Sequence, residues 1–443
     1  MRIAIELNDT AIIIHDGTRL INNSPGYAIE TKNDFWIGNE ARDRAYLYSN
    51  QCNNKFWYEI ACADKKELNQ QNINLAMRHL EHAWGQVATE ANTVVLIVPG
   101  TFTKTGLGLL LGICKELNIP VQAMVHQSVL CPYQADHKGE TVHVDIQLHH
   151  TVITPLKKIE KEFIAADSKV LHGSGLIKLY EHIAEYLAQE FIKKTRLDPM
   201  HNAQLEQQLY DCLPDWLQQS QNNDTVDCKL QYKNNIYEIE VHSPALHRVY
   251  ERFIDTISKT IQSVSTDNNI IVCLSGIIDL QLGLRNLENK HQLNLRVLDT
   301  AYFAKQSFEY NDEILSSDGQ VYLNKQLPYK PLSDPLNITG SINDNHEQPD
   351  HVLFRDYAYE IKDRIVMLKN RQGDYGLKPE YSGDSEEVFI ISKTAEGVYL
   401  EHHTPQRITV NEQPASLFCK LGIGDRISIS ESDEILTLIK VEA

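Results

Sequence analysis

The chain has 443 residues, 42% hydrophobic and 23% charged, which suits folded domains and is too long for one ordinary core. Its formal charge of −18 argues against nucleic acid as a partner, because so acidic a surface repels phosphate. No stretch reaches the ~18 apolar residues of a membrane span, Glu6 and Asp9 interrupt the first apolar run where a secretory signal would continue, and eight scattered cysteines without a C-x-x-C pair fit reduced thiols, so a cytoplasmic protein is expected.

Met1–Leu7 and Ala11–His15 are apolar runs joined by Asn8-Asp9-Thr10, which predicts a strand pair. Tyr27, Phe35, Trp36, Phe56 and Trp57 follow as an aromatic-rich patch, by default packing of an inserted segment and alternatively a partner surface. Glu67–Thr89 carries Ile73, Met77, Leu80, Trp84 and Val87 at three- and four-residue spacing and reads as an amphipathic helix. Thr93–Tyr133 is the most informative stretch. The apolar run Val94–Val98 stops at Pro99-Gly100, and a helix follows with Leu107, Leu110, Leu111 and Cys114 on one stripe. A second run, Val121–Val125, then leads into apolar Ser128–Cys131. Strand, helix, strand, helix is the rhythm of a parallel sheet.

Thr141–Pro155 predicts a second hairpin, and His172-Gly173-Ser174-Gly175 opens a helix that Asp198-Pro199 stops. Leu205–Gln219 is helical, Asp227–Val241 alternates as a hairpin around Asn234-Asn235, and Pro244–Ser263 is a returning helix. Ile270–Gly283 begins as a strand. Residues 306–350 are rich in Ser, Asp, Asn and Pro and read as a linker, partly strapped to the first domain. From His351 short strands alternate with turns, predicting a small β-sandwich over 351–443.

In this order the segments resemble the ATPase-fold superfamily of actin, sugar kinases and 70-kDa heat-shock chaperones. Met1–His15 resembles its first phosphate hairpin, Thr141–Pro155 its second, and Ile270–Gly283 its adenosine motif. Ser24-Pro25-Gly26-Tyr27 and Trp36–Ala41 resemble segments of the chaperone branch. The resemblance implies a two-lobed, α/β actin-like (ribonuclease H-like) fold over 1–305. Lobe I would be about 1–150 and lobe II about 151–305, with an inserted subdomain at about 198–243 and internal duplication of the two halves. Within 351–443, Val410–Pro414 and Leu421–Ile427 resemble turns of the forkhead-associated fold. That fold's phosphothreonine-reading motifs are not matched at Asn370-Arg371 or Ser392–Ala395.

The departures are chemical. Phosphate hairpins use glycine so that the backbone can approach the phosphates. Here Asn8-Asp9 stands at the first turn, Gln147-Leu148-His149-His150 at the second, and Ile277 follows Gly276. Glu6 takes the place of the family's Asp, and His126 falls near its water-positioning acid. If nucleotide binds, the resemblance assigns it to Glu6, Asn8, Thr10, Lys55, Asp145, Thr151 and Gly276, with Glu6 and Asp145 as magnesium candidates. Phosphoryl transfer depends on positioning and charge stabilisation, so the expectation is a pseudo-ATPase with no catalytic residues and no ATP or magnesium. It would be a chaperone-like scaffold whose β domain docks a protein partner. A divergent ATP-hydrolysing chaperone-like protein is the alternative.

Metal readings stay weak. Adjacent His149-His150 point to opposite strand faces, as do His402-His403, and the His79/His82 pair at i, i+3 lacks a third ligand and reads as a solvated helix face. Gly106 and Gly108 lie within a helix pattern and form no dinucleotide fingerprint.

Overall fold

The computed structural model describes residues 1–63, 69–87, 91, 93–132, 139–233, 235–265, 270–275, 293–315, 320–329, 349–355, 357–362, 364–370, 375–378, 386–394, 397–401, 408–410, 413–414, 418–422, 424–429 and 434–441. The chain is mixed α/β and divides into two units, Met1–Gly340 and Ser341–Ala443.

The first unit carries two large sheets wired alike. In one, Arg2–Leu7, Ala11–His15 and Leu20–Pro25 form an antiparallel meander, which Thr93–Val98 and then Val121–His126 extend in parallel from the first strand. In the other, Glu140–Ile146, His150–Ile159 and Glu162–Ala165 form the meander, which Ile270–Ser275 and Leu293–Val297 extend in the same way. Arg2–Leu7, Thr93–Val98 and Ile270–Ser275 are buried almost throughout, which is why each reads as a continuous apolar run.

The crossover helices follow their capping signals. Asn69 accepts from the Gln71 amide to start Gln70–Trp84, and Thr103 accepts from the Gly106 amide to start Lys104–Glu116. On the second helix Gly106, Leu110, Ile113 and Cys114 are buried, whereas Leu107 and Leu111 are only half-buried. Gly106 is the reason for this rotation. A Cβ there would sit 2.4 Å from the Ile60 carbonyl oxygen, so glycine lets this helix approach Phe56–Ala61. The apolar segment after Val121–His126 makes one 3-10 turn, Gln127–Leu130.

Helix Ala203–Asn222 and the ribbon Thr225–Tyr232/Asn235–His242, in the region expected to be an inserted subdomain, pack with helices Leu176–Thr195 and Ser243–Val264 into one core. Part of the region read as linker belongs to the first unit: Leu323–Asn324 pairs with Val121–His126, and Gln326–Pro328 pairs with Glu162–Ala165. A separate core cluster takes residues from both sheets, including Ile97, Val125, Phe163 and Cys273, with Phe303 between them.

Among the described residues the second unit forms a six-stranded and a five-stranded sheet that share a core including Val352, Met367, Phe389, Ile391 and Leu438, as in a sandwich. Gly424 has φ +90°, a conformation suited to glycine, and its amide donates to the Leu438 carbonyl in the turn before Arg426–Ile429. Arg371, Ala395, His402, His403, Asn411 and Glu412 lie outside the described residues. Among the described residues no helix is long and apolar enough to cross a membrane.

Candidate functional site

The turns Asn8–Thr10 and Gln147–His149, which carry the resemblance to phosphate hairpins, meet between the two large sheets and are bonded to each other. Asp9 Oδ1 accepts from the Leu148 amide at 2.7 Å and Asp9 Oδ2 from the His149 amide at 3.1 Å. The aspartate is 2% exposed, and its two oxygens take the two successive amides of the second turn. Both sides of this contact are held. Asn8 Oδ1 accepts from the Thr10 and Ala11 amides and shapes the first turn. A Cβ on Gly26 would lie 2.2 Å from the Asp9 carbonyl oxygen. The second turn gives its Gln147 and Leu148 carbonyls to the Leu176 and Ile177 amides at the start of helix Leu176–Thr195, and Gly175 permits that approach.

Three carboxyl groups are buried here. Glu6, at the end of the first strand, is pushed up to about 8 by burial and by the neighbouring Asp145 charge, against the Ala304 amide it accepts. Burial pushes Asp9 up to about 7, although the Leu148 and His149 amides favour its ionised form. Burial also raises Asp145, opposed by hydrogen bonds from Gln147 and Ser275. Ser275 Oγ donates to Asp145 at 2.8 Å and accepts from His143 Nε2 at 2.9 Å, while Ser128 Oγ donates to His143 Nδ1 at 2.8 Å. This Ser-His-Ser-Asp chain is buried throughout, so it orients Asp145 and offers no accessible nucleophile.

Histidines close the other side. His149 Nε2 bonds the Asn54 carbonyl at 3.0 Å, and Tyr58 hydroxyl meets His172 Nδ1 at 3.1 Å. His150 is fully buried, with Nδ1 3.5 Å from Asp9 Oδ2. Burial and the neighbouring His172 and His149 push it down to about 3, so this contact is a packed neutral imidazole and not an ion pair at neutral pH. Further out, Tyr46 of lobe I stacks on Tyr210 of the inserted helix with ring centroids 3.8 Å apart, and the Tyr46 amide donates to Gln207 Oε1 at 2.9 Å.

The residues assigned from sequence separate into groups. Glu6 and Asp145 are buried near each other, whereas Asn8 and Thr10 lie in the turn that carries Asp9, with Asn8 bonded to that turn's own amides. Thr151 is buried, but its hydroxyl donates to the Ser174 carbonyl and serves the turn before the helix. Lys55 is exposed on the rim, where its charge helps to lower the His149 imidazole. Gly276 and Ile277 lie outside the described residues. His126, also buried, accepts from the Ser128 amide through Nδ1.

His79 corrects the solvated-face reading: it is fully buried, accepting from Trp57 Nε1 at 2.9 Å and donating to Ser24 Oγ at 2.8 Å, while His82 is exposed. Phe56 and Trp57 likewise belong to the core, whereas Phe35 and Trp36 are half-buried under the guanidinium groups of Arg78 and Arg44.

Sequence reasoning took Asp9 only as a departure from a glycine-bearing turn. It missed that the Asp9 carboxyl group itself accepts from both amides of the second turn. The signal was an acidic turn opposite a turn whose amides needed an acceptor. With Asp9 on them, the Leu148 and His149 amides are not open to a phosphate in this structure. No protein-family model matches the chain, and a search of curated proteins returns no match.

Proposed function

We propose that this protein is a non-catalytic, chaperone-like scaffold built on a degenerate actin/heat-shock ATPase fold, with a forkhead-associated-like β domain that docks a protein partner. The observation that carries the reading is the Asp9 carboxylate on the Leu148 and His149 amides, an internal group placed where the family holds phosphate. The repeated strand order of the two sheets supports the two-lobed fold, and the six-plus-five strand sandwich supports the second assignment. Lobe closure also supports it. In this reading nucleotide is not needed to draw the lobes together, because Asp9, the Tyr46–Tyr210 stack and the His149–Asn54 bond already join them.

Isothermal titration with ATP and magnesium tests the proposal. Heats indistinguishable from dilution at millimolar nucleotide are expected. Micromolar binding, with turnover abolished by Asp145→Asn, would replace it with the divergent ATPase.

A further inference from the structure

His150 sits beside Asp9 where the two turns meet, and its ring bonds nothing. It is fully buried, and among the described residues neither Nδ1 nor Nε2 has a hydrogen-bond partner. A buried imidazole without a bond has given up its hydrogen bonds to water, so a compensating group is called for. Asp9 Oδ2 lies 3.5 Å from Nδ1. That oxygen also takes the longer of the two turn bonds, 3.1 Å to the His149 amide against 2.7 Å from Oδ1 to the Leu148 amide. Oδ2 is therefore the oxygen that carries the proton when the acid is neutral. The separation from Nδ1 exceeds a hydrogen bond by a few tenths of an ångström, so a bond formed here tightens the contact.

Two arrangements of the pair are complementary, because a carboxylic acid has one O–H to donate and a neutral imidazole has one donor nitrogen and one acceptor. With Asp9 protonated, Oδ2–H points at a bare Nδ1 and the ring keeps its proton on Nε2. With Asp9 ionised, Nδ1–H points at the carboxylate and Nε2 is bare. The ring is neutral in both, as burial beside His172 and His149 requires. The surroundings leave the proton to this pair. Asp9 is faced by Asp145, with Glu6 beyond it, and by Tyr27, Tyr58 and Cys62. Lys55 and Glu181 act on His149 with opposite signs. Among the described residues no lysine or arginine pairs with the Asp9 carboxyl to hold it ionised.

We propose that Asp9 and His150 form a proton-operated switch in the contact between the turns. As pH rises, the Asp9 O–H bond breaks, Nδ1–H forms and the Nε2 proton leaves to solvent, so one proton is released and the ring stays neutral. The output is the His149 amide, whose acceptor changes from a hydroxyl oxygen to a carboxylate oxygen. Burial of Asp9 centres the change at about pH 7. The switch uses the contact that carries the scaffold reading and needs nothing else from that reading.

The test is a long-range proton–nitrogen correlation spectrum of the histidine rings in the full chain, labelled with nitrogen-15 histidine, at pH 5.5, 7 and 8.5. His150→Gln assigns the signal among the 18 histidines. If that variant does not fold, Asp9→Asn assigns it, because only the ring facing residue 9 responds. The wild type should carry the ring proton on Nε2 at pH 5.5 and on Nδ1 at pH 8.5. Asp9→Asn, whose side-chain N–H donates to Nδ1 at every pH, should keep the Nε2 form throughout. A single tautomer across the wild-type series, an imidazolium signal, or an exchange that survives Asp9→Asn overturns the switch. A fixed tautomer with no ATP binding sinks the switch and leaves the scaffold reading standing. Tautomer exchange with micromolar ATP binding does the reverse.

Discussion

Replacing Asp9 by Asn isolates the contact on which the account rests. Burial lifts this carboxyl from an ordinary 3.8 to about 7, so between these values the folded chain keeps a proton that the unfolded chain has released. The sign follows from linkage: the unfolded state binds fewer protons in that window, so stability present below pH 4 is lost as pH rises to about 7. Integrated from pH 5 to pH 8, the loss from this one group is about 2–3 kcal/mol. Asn cannot ionise and does not lose it. Asp9→Asn also sets an amide N–H against one of the two turn amides, which costs about 1–3 kcal/mol at every pH. Urea unfolding of both proteins at pH 5, 6.5 and 8 separates the two effects. Relative to wild type, the variant should gain about 2–3 kcal/mol across that range from a lower starting stability. Parallel pH profiles would mean that Asp9 titrates as a solvated carboxyl, and the turn-capping argument would fail.

Gly106→Ala places a methyl 2.4 Å from the Ile60 carbonyl oxygen, backbone that cannot rotate away, and should destabilise by about 1–3 kcal/mol in urea titration. Gly108→Ala, with open space at its Cβ, should instead be neutral or slightly stabilising. His79→Leu leaves the buried Trp57 indole N–H without an acceptor, and a loss of about 2–4 kcal/mol with altered tryptophan fluorescence is expected. A fragment spanning residues 1–340 contains both large sheets with their returning strands, so it should melt cooperatively on its own. Aggregation of that fragment would mean that the two units share a core.

The parallel strands were legible because their burial is two-sided. Val94–Val98 and Val121–Val125 are runs with no polar alternation, bounded by Pro-Gly and Asn-Ile-Pro. The ribbon around Asn234 was legible for the opposite reason: its one buried face left Val226, Cys228 and Leu230 alternating with polar residues. Strands Leu323–Asn324 and Gln326–Pro328 were not, since two or three residues show no period and their pairing comes from sheets more than 150 positions upstream. The stripe of Lys104–Glu116 packs against the core at Leu107, Leu110, Leu111 and Cys114 as its spacing implies, but the closest approach is at Gly106, which carries no hydrophobic signal. His79 was read by its type, and only the Trp57 and Ser24 contacts across 22 and 55 positions place it in the core. Glu6, Asn8 and Asp145 were named from sequence, and all three are buried. The bond from Asp9 to Leu148 spans 139 positions and belongs to the fold, not to any local pattern.

The most direct measurement is a crystal structure grown with an adenine nucleotide and magnesium at millimolar concentration. The account predicts the Asp9 carboxylate still bonded to the Leu148 and His149 amides, with no nucleotide between the lobes. Phosphate density against those amides, with Asp9 displaced, would contradict it.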